Sequence, residues 1–369
     1  MNKAELFFAI TSANGDPMSK KHYPNAARIH KVSNISYGED EKQKYDIFYD
    51  KTNNETKPIL INIHGGGFVN GDKSYRDYLC NMFADSGWFV VNANYRLCPK
   101  VRSHDQIRDI YSVLGEIPSL KICHDIDDRK VVMTGDSAGA YLASYMEAIL
   151  TNPPLRQKYR LPELDTKLSG LMLYSGPYDL PKLLSPKIFL NMAKDIGSVI
   201  TGIKSKEIDK IKKYEFYDYL SLPQYVNEKW CPTMLSYSAK DVFTKGQGEH
   251  LQAVLAEKNV PIHTHIANTI FDNHCYHLAI DSPASQEALS ASLEFLHTIK
   301  HGKKKQFIFQ KTGNKKKDSG YEIIEKQPGN APGSKKSVCE MAEKQPGSGY
   351  EVIKKQPIHK PPENIREQA

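Results

Sequence analysis

At 369 residues and 40% hydrophobic, the chain is long enough for one large domain or two ordinary ones with a sizeable core. No apolar run approaches the ~18–20 residues of a membrane span. The formal charge of +7 sits in the tail, where 15 Lys/Arg from Lys303 onward face 8 Asp/Glu, while the first 302 residues balance; this argues against a nucleic-acid-binding face on the main domain.

Near the N-terminus, Leu6-Phe7-Phe8-Ala9-Ile10 is shorter than the ~7–15 residues of a signal-peptide core. It reads as an ordinary helix or strand, and a cytoplasmic protein is expected. Six scattered cysteines, none in a CxxC pair, read as free thiols in a reducing compartment.

In chain order, a strand is expected at 45–49 and a second at 59–63. The second runs into His64-Gly65-Gly66-Gly67-Phe68. Glycines let backbone N–H groups approach a developing oxyanion without a side chain in the way. Gly66 and Gly67 are the candidate donors, together with Ala138 downstream. The loop misses the phosphate-binding patterns: Asp72 stands where a P-loop needs Lys, and a dinucleotide fingerprint begun at Gly65 fails at Asn70.

A helix at 75–85, a strand at 88–94 and a helix at 104–114 follow. A buried strand at 131–134 then leads into Gly135-Asp136-Ser137-Ala138-Gly139 and a helix at 138–150. This is the G-x-S-x-G elbow, in which a sharp strand-to-helix turn exposes the serine hydroxyl. Strands at 171–175, 233–237 and 262–266 alternate with helices at 248–257 and 284–299. Continuous apolar strands between helices predict an α/β fold with a doubly wound, mostly parallel sheet.

Residues 181–222 are too many for one crossover. There Ile188, Phe189, Met192, Ile196, Val199, Ile200 and Ile203 recur at helical spacing, which predicts a small helical cap; peripheral packing would give the same stripe. Past residue 302, Lys, Gln, Pro, Gly and Ser dominate. Ser319-Gly320-Tyr321-Glu322-Ile323-Ile324 returns as Ser348-Gly349-Tyr350-Glu351-Val352-Ile353. Two short copies bury no core, so 1–302 is read as one domain and 303–369 as a basic tail without regular structure. The tyrosine motifs would suit a protein partner, and the lysines at 303–305 and 315–317 an anionic membrane surface, but a repeat with no dedicated partner is the preferred reading.

The glycine loop, Asn94-Tyr95-Arg96-Leu97-Cys98-Pro99 and the elbow together resemble the hormone-sensitive-lipase-like esterases of the α/β-hydrolase superfamily, over roughly residues 35–300. The resemblance implies a serine carboxylesterase acting on short or medium acyl esters, with no cofactor. It implies Ser137 as nucleophile, followed by an acid and a base in the order Ser, Asp, His. Asp241, after the strand 233–237, is the expected acid, with Asp272 as runner-up. The family pattern His-Gly-Phe aligns best with His274-Cys275-Tyr276, making His274 the base and His277 the alternative. His274, Cys275 and His277 match no common zinc spacing. Two departures from the family stand out: Ala140-Tyr141 follows the elbow, where Tyr141 bears on the size of the acyl pocket, and Cys98-Pro99-Lys100 stands where the family has Ala-Pro-Glu. Phe68 and Tyr141 are the candidate pocket residues. An amidase or formamidase on the same residues, or a hydrolase fold used only for binding, are the alternative readings.

Overall fold

The computed structural model describes residues 21–184, 192–302, 307–312, 320–326 and 350–352. The apolar stretch at 6–10, Ile188, Phe189, Cys339 and both tail lysine clusters lie outside these described residues.

Eight strands form one sheet in the order β1-β2-β4-β3-β5-β6-β7-β8. They are β1 (Ile29–Ser36), β2 (Lys44–Asp50), β3 (Lys57–Ile63), β4 (Phe89–Ala93), β5 (Ile126–Asp136), β6 (Leu168–Tyr174), β7 (Thr233–Ser238) and β8 (Ile262–Ala267). β1, β2 and β4 pair antiparallel, and β4 through β8 run parallel. Helices α1 (Asp77–Asp85), α2 (Ser103–Gly115), α3 (Ala138–Thr151), α4 (Met192–Thr201), α5 (Gln247–Glu257) and α6 (Pro283–His301) include all five expected ones, within two residues at each end.

The two sheet faces carry separate cores because successive strand side chains point to opposite sides. On β3, Ile59, Ile61 and Ile63 face the core under α2, α3 and α5, while Leu60 faces the core under α1 and α6. Every residue of β3 is buried. The polar Asn62 is accommodated by donating to Asn92 of β4 at 2.8 Å, and Asn92 in turn donates to the Lys73 carbonyl.

Two differences from the sequence reading have plain physical causes. β1 was not expected, because its sequence Ile-His-Lys-Val-Ser-Asn-Ile-Ser lies mostly exposed on the sheet edge and carries no apolar run. β5 begins five residues early, where Asp127-Asp128-Arg129-Lys130 precedes the buried half beyond a register shift.

Between β6 and β7, the described part of the segment expected as a cap packs against α3. Val199 and Ile200 of α4 are buried, and the Tyr145 hydroxyl of α3 donates to the Tyr219 carbonyl at 2.6 Å. Beyond Gly302 lie three short antiparallel strands, Phe307–Thr312, Gly320–Lys326 and Tyr350–Val352. The last two come from the two repeat copies and pair with each other. Composition over the whole tail gave no regular structure there; these short pieces instead combine β-branched and aromatic residues in the strand pattern.

Candidate functional site

β5 ends at Asp136 and α3 begins at Ala138, so the whole turn falls on Ser137. Its backbone is held at φ 52° and ψ −120°, a strained conformation for a side-chain-bearing residue. Gly135 and Gly139 are required by the turn. A Cβ on Gly139 would strike the Ile63 carbonyl, and one on Gly135 would lie 2.5 Å from the Gly139 backbone. Ser137 occupies the N-cap position of α3 yet makes no capping hydrogen bond, which leaves its hydroxyl for another partner.

That partner is His274. Its Nε2 lies 2.9 Å from Ser137 Oγ, and its Nδ1 lies 2.8 Å from Asp241 Oδ2. Asp241 follows β7 and is 2% exposed. Its carboxylate accepts from Phe243 N at 2.7 Å, Thr244 N at 3.0 Å and Thr244 Oγ1 at 2.7 Å. Burial would raise its pKa, but the imidazole and these donors hold it below the ordinary carboxylate range. Burial likewise opposes protonation of His274. The Cys275 thiol beside it is itself pushed up by burial and stays neutral, so the Asp241 carboxylate is the charge that raises the imidazole above its ordinary value.

The alternatives for acid and base fall elsewhere. Asp272 accepts the Thr269 hydroxyl at 2.6 Å. His277 is buried against the Tyr174 ring, with centroids 4.0 Å apart, and neither ring nitrogen has a hydrogen-bond partner. Burial pushes its pKa down to about 3, which keeps it neutral.

The glycine loop lies against the elbow. A Cβ on Gly65 would stand 3.1 Å from Ser137 Cβ, and one on Gly66 would collide with the Asn70 carbonyl. Gly66, Gly67 and Phe68 all have positive φ, at 125°, 60° and 69°. Phe68 and Tyr141 meet edge-to-face with centroids 5.7 Å apart, and both are buried. The Tyr141 hydroxyl is occupied by the Leu220 carbonyl at 3.2 Å, which ties α3 to the cap segment.

Supporting residues that the sequence reading did not single out surround this core. Arg76 pairs with Asp136 through two bonds of 2.7 and 2.8 Å, both partners being buried. Asn273 Oδ1 accepts from both Val242 N at 3.1 Å and His274 N at 2.8 Å, joining the loop after β7 to the loop that carries His274. The position of Asp136 beside the serine was the one available signal; Arg76 and Asn273 belong to no motif. Among the described residues, no cluster of three His, Cys, Asp or Glu side chains is placed to hold a metal ion.

The sheet order with its antiparallel second strand and the nucleophile elbow define an α/β-hydrolase fold. The chain belongs to the BD-FAE family, whose model matches residues 45–255, and thereby to the hormone-sensitive-lipase-like part of that superfamily. It is similar to esterase LipQ of Mycobacterium tuberculosis, 27% identical over 165 residues, which cover 43% of this chain and 39% of that one. It is also similar to kynurenine formamidase of Danio rerio, 27% identical over 161 residues covering 42% and 48%. The chain thus spans less than half the length of either relative. Among solved structures, esterase B of Lactobacillus Rhamnosis shares the fold with a TM-score of 0.69 and 24% identity, over 81% of this chain and 93% of that one.

Proposed function

We propose that this protein is a serine hydrolase that cleaves short- to medium-chain carboxylic esters through an acyl-enzyme. The reading is carried by His274 standing between Ser137 Oγ and Asp241 Oδ2 at hydrogen-bond distance on both sides. His274 Nε2 takes the hydroxyl proton as Ser137 Oγ attacks the ester carbonyl carbon. Asp241 holds the imidazole with Nδ1–H turned toward it and stabilises the cation that forms. The N–H groups of Gly66, Gly67 and Ala138 stabilise the oxyanion of the tetrahedral intermediate; one such donor is worth on the order of 10²–10³ in turnover. His274 then protonates the leaving alcohol, and water, deprotonated by the same ring, releases the acid. Phe68 and Tyr141 support the wall of the acyl pocket. No helix among the described residues is long and apolar enough to cross a membrane, and the five described cysteines are free thiols, which supports a reducing, cytoplasmic setting.

The test is labelling by a fluorophosphonate probe together with hydrolysis of a short-chain aryl ester. Both are expected in the wild type and lost in Ser137→Ala. Full activity of Ser137→Ala, or no activity in the wild type, sinks the reading. Formamide cleavage on the same residues has the formamidase relative in its favour; a higher kcat/KM on a matched formamide than on the ester would establish it.

A further inference from the structure

The acid and base loops share a feature that hydrolysis of a dissolved ester does not use. Ile270 is 73% exposed and Phe271 is 88% exposed, three to four residues before His274. Val242, directly after Asp241, is 47% exposed. The Asn273 side chain bonds the Val242 N–H, so these apolar groups stand on two loops held side by side. Ile266, 45% exposed near the end of edge strand β8, leads into the same loop. A single exposed leucine on a surface is ordinary, but every exposed large apolar side chain among the described residues except Ile122 lies here.

The charges around the patch indicate what covers it. Lys240 and Lys245, both exposed, bracket Val242. Asp272, the acid within the patch, is half-buried and accepts the Thr269 hydroxyl. Glu249 is exposed further along, in the first turn of α5. Glu287, exposed and 3.5 Å from His265, lies toward the Ile266 end, whereas the apolar side chains of the Val242 loop have exposed lysines on both sides in sequence, a combination complementary to acyl chains beneath anionic headgroups.

We propose that Val242, Ile270 and Phe271 seat the protein on an anionic lipid–water interface, with Lys240 and Lys245 against the headgroups. The site then opens toward the lipid, and its esters come from that phase; this last step rests on the hydrolase reading above, whereas the seating does not.

The experiment uses the full chain and vesicles of phosphatidylglycerol or of phosphatidylcholine. Co-sedimentation with the anionic vesicles is expected, with at least a tenfold loss of affinity in Ile270→Asp/Phe271→Asp. Lys240→Gln/Lys245→Gln should lose about fivefold per lysine. Turnover of a water-soluble short-chain aryl ester should be unchanged in all of these variants, while hydrolysis of an ester embedded in the vesicles falls with binding. The proposal is overturned if the wild type ignores anionic vesicles, if the Asp variant binds them as well as the wild type, or if the patch proves to join two copies, seen as a wild-type dimer that the variant splits. Wild-type vesicle binding without hydrolysis of the soluble ester would instead sink the hydrolase reading and leave the seating in place.

Discussion

Replacing Arg76 by leucine tests the support under the nucleophile elbow. Asp136 precedes Ser137, is buried, and receives both of its short charged bonds from the Arg76 guanidinium. Burial alone would raise its pKa, but Arg76 holds it down at about 2. The wild-type carboxylate therefore adds stability above its ordinary value near 3.8, and this is lost as pH falls through about 2. Removing one partner of such a pair leaves a buried charge uncompensated, which costs about 3–5 kcal/mol. A domain of this size shifts by roughly 2–4 °C per kcal/mol, so Tm should fall by roughly 10 °C near neutral pH. In the variant the guanidinium that opposed burial is gone, so the Asp136 pKa rises and protonation relieves the penalty. The Tm deficit should thus shrink as pH is lowered from neutral toward about 4. Adding Asp136→Asn removes the charge itself and should recover part of the loss. Melts followed by circular dichroism decide the matter. A deficit under about 2 °C at neutral pH, or one that stays constant on acidification, would refute the reasoning.

Asp241→Asn keeps the shape of the acid but places an amide beside His274 Nδ1, favouring the tautomer whose Nε2–H points at Ser137. Turnover of a short-chain aryl ester should fall by about 10³–10⁴, with KM little changed. Because Asp241 raises the His274 pKa and the base works only when neutral, the acid limb of kcat/KM should lie above the ordinary imidazole value of about 6.5, with activity falling as pH drops through it; a limb below 6 counts against the pairing. Glu147, buried in α3 and accepting the Cys231 N–H at 2.9 Å, is pushed up to about 7 by burial. Its raised pKa favours the fold below its ordinary value of 4.5, and this is lost as pH rises through about 7. Glu147→Gln should therefore raise Tm at pH 8, by an amount equivalent to at most roughly 3 kcal/mol, and leave it little changed near pH 4.

Much of this molecule was legible in the chain alone. β3, β5, β6 and β7 are buried on both faces, so each carries an apolar core that no helix period explains, and the helices between them keep their 3.6-residue stripe. The elbow and glycine loop were equally plain, because each is a local backbone requirement. Gly135 and Gly139 are dictated by atoms within the turn and the neighbouring strand end, and that requirement is written in consecutive letters. Asp241 and His274 could be placed after particular strands, while Asp272 and His277 remained open beside them.

The choice among those side chains belonged to tertiary structure. His274 and His277 are three residues apart, yet one ring reaches Ser137 and the other is stacked on Tyr174; the short turn between them sets which is which, and no spacing records it. Arg76 and Asp136 meet across 60 positions of sequence. Asn273 matters only because its oxygen lies between two loops that the sheet brings together. The same holds for β1, whose polar sequence becomes a strand only because the β2 edge offers it hydrogen bonds. A backbone constraint acts between neighbours and so leaves its mark in the sequence. A partner supplied from a distant segment is selected by the packed sheet, and only the folded chain reveals it.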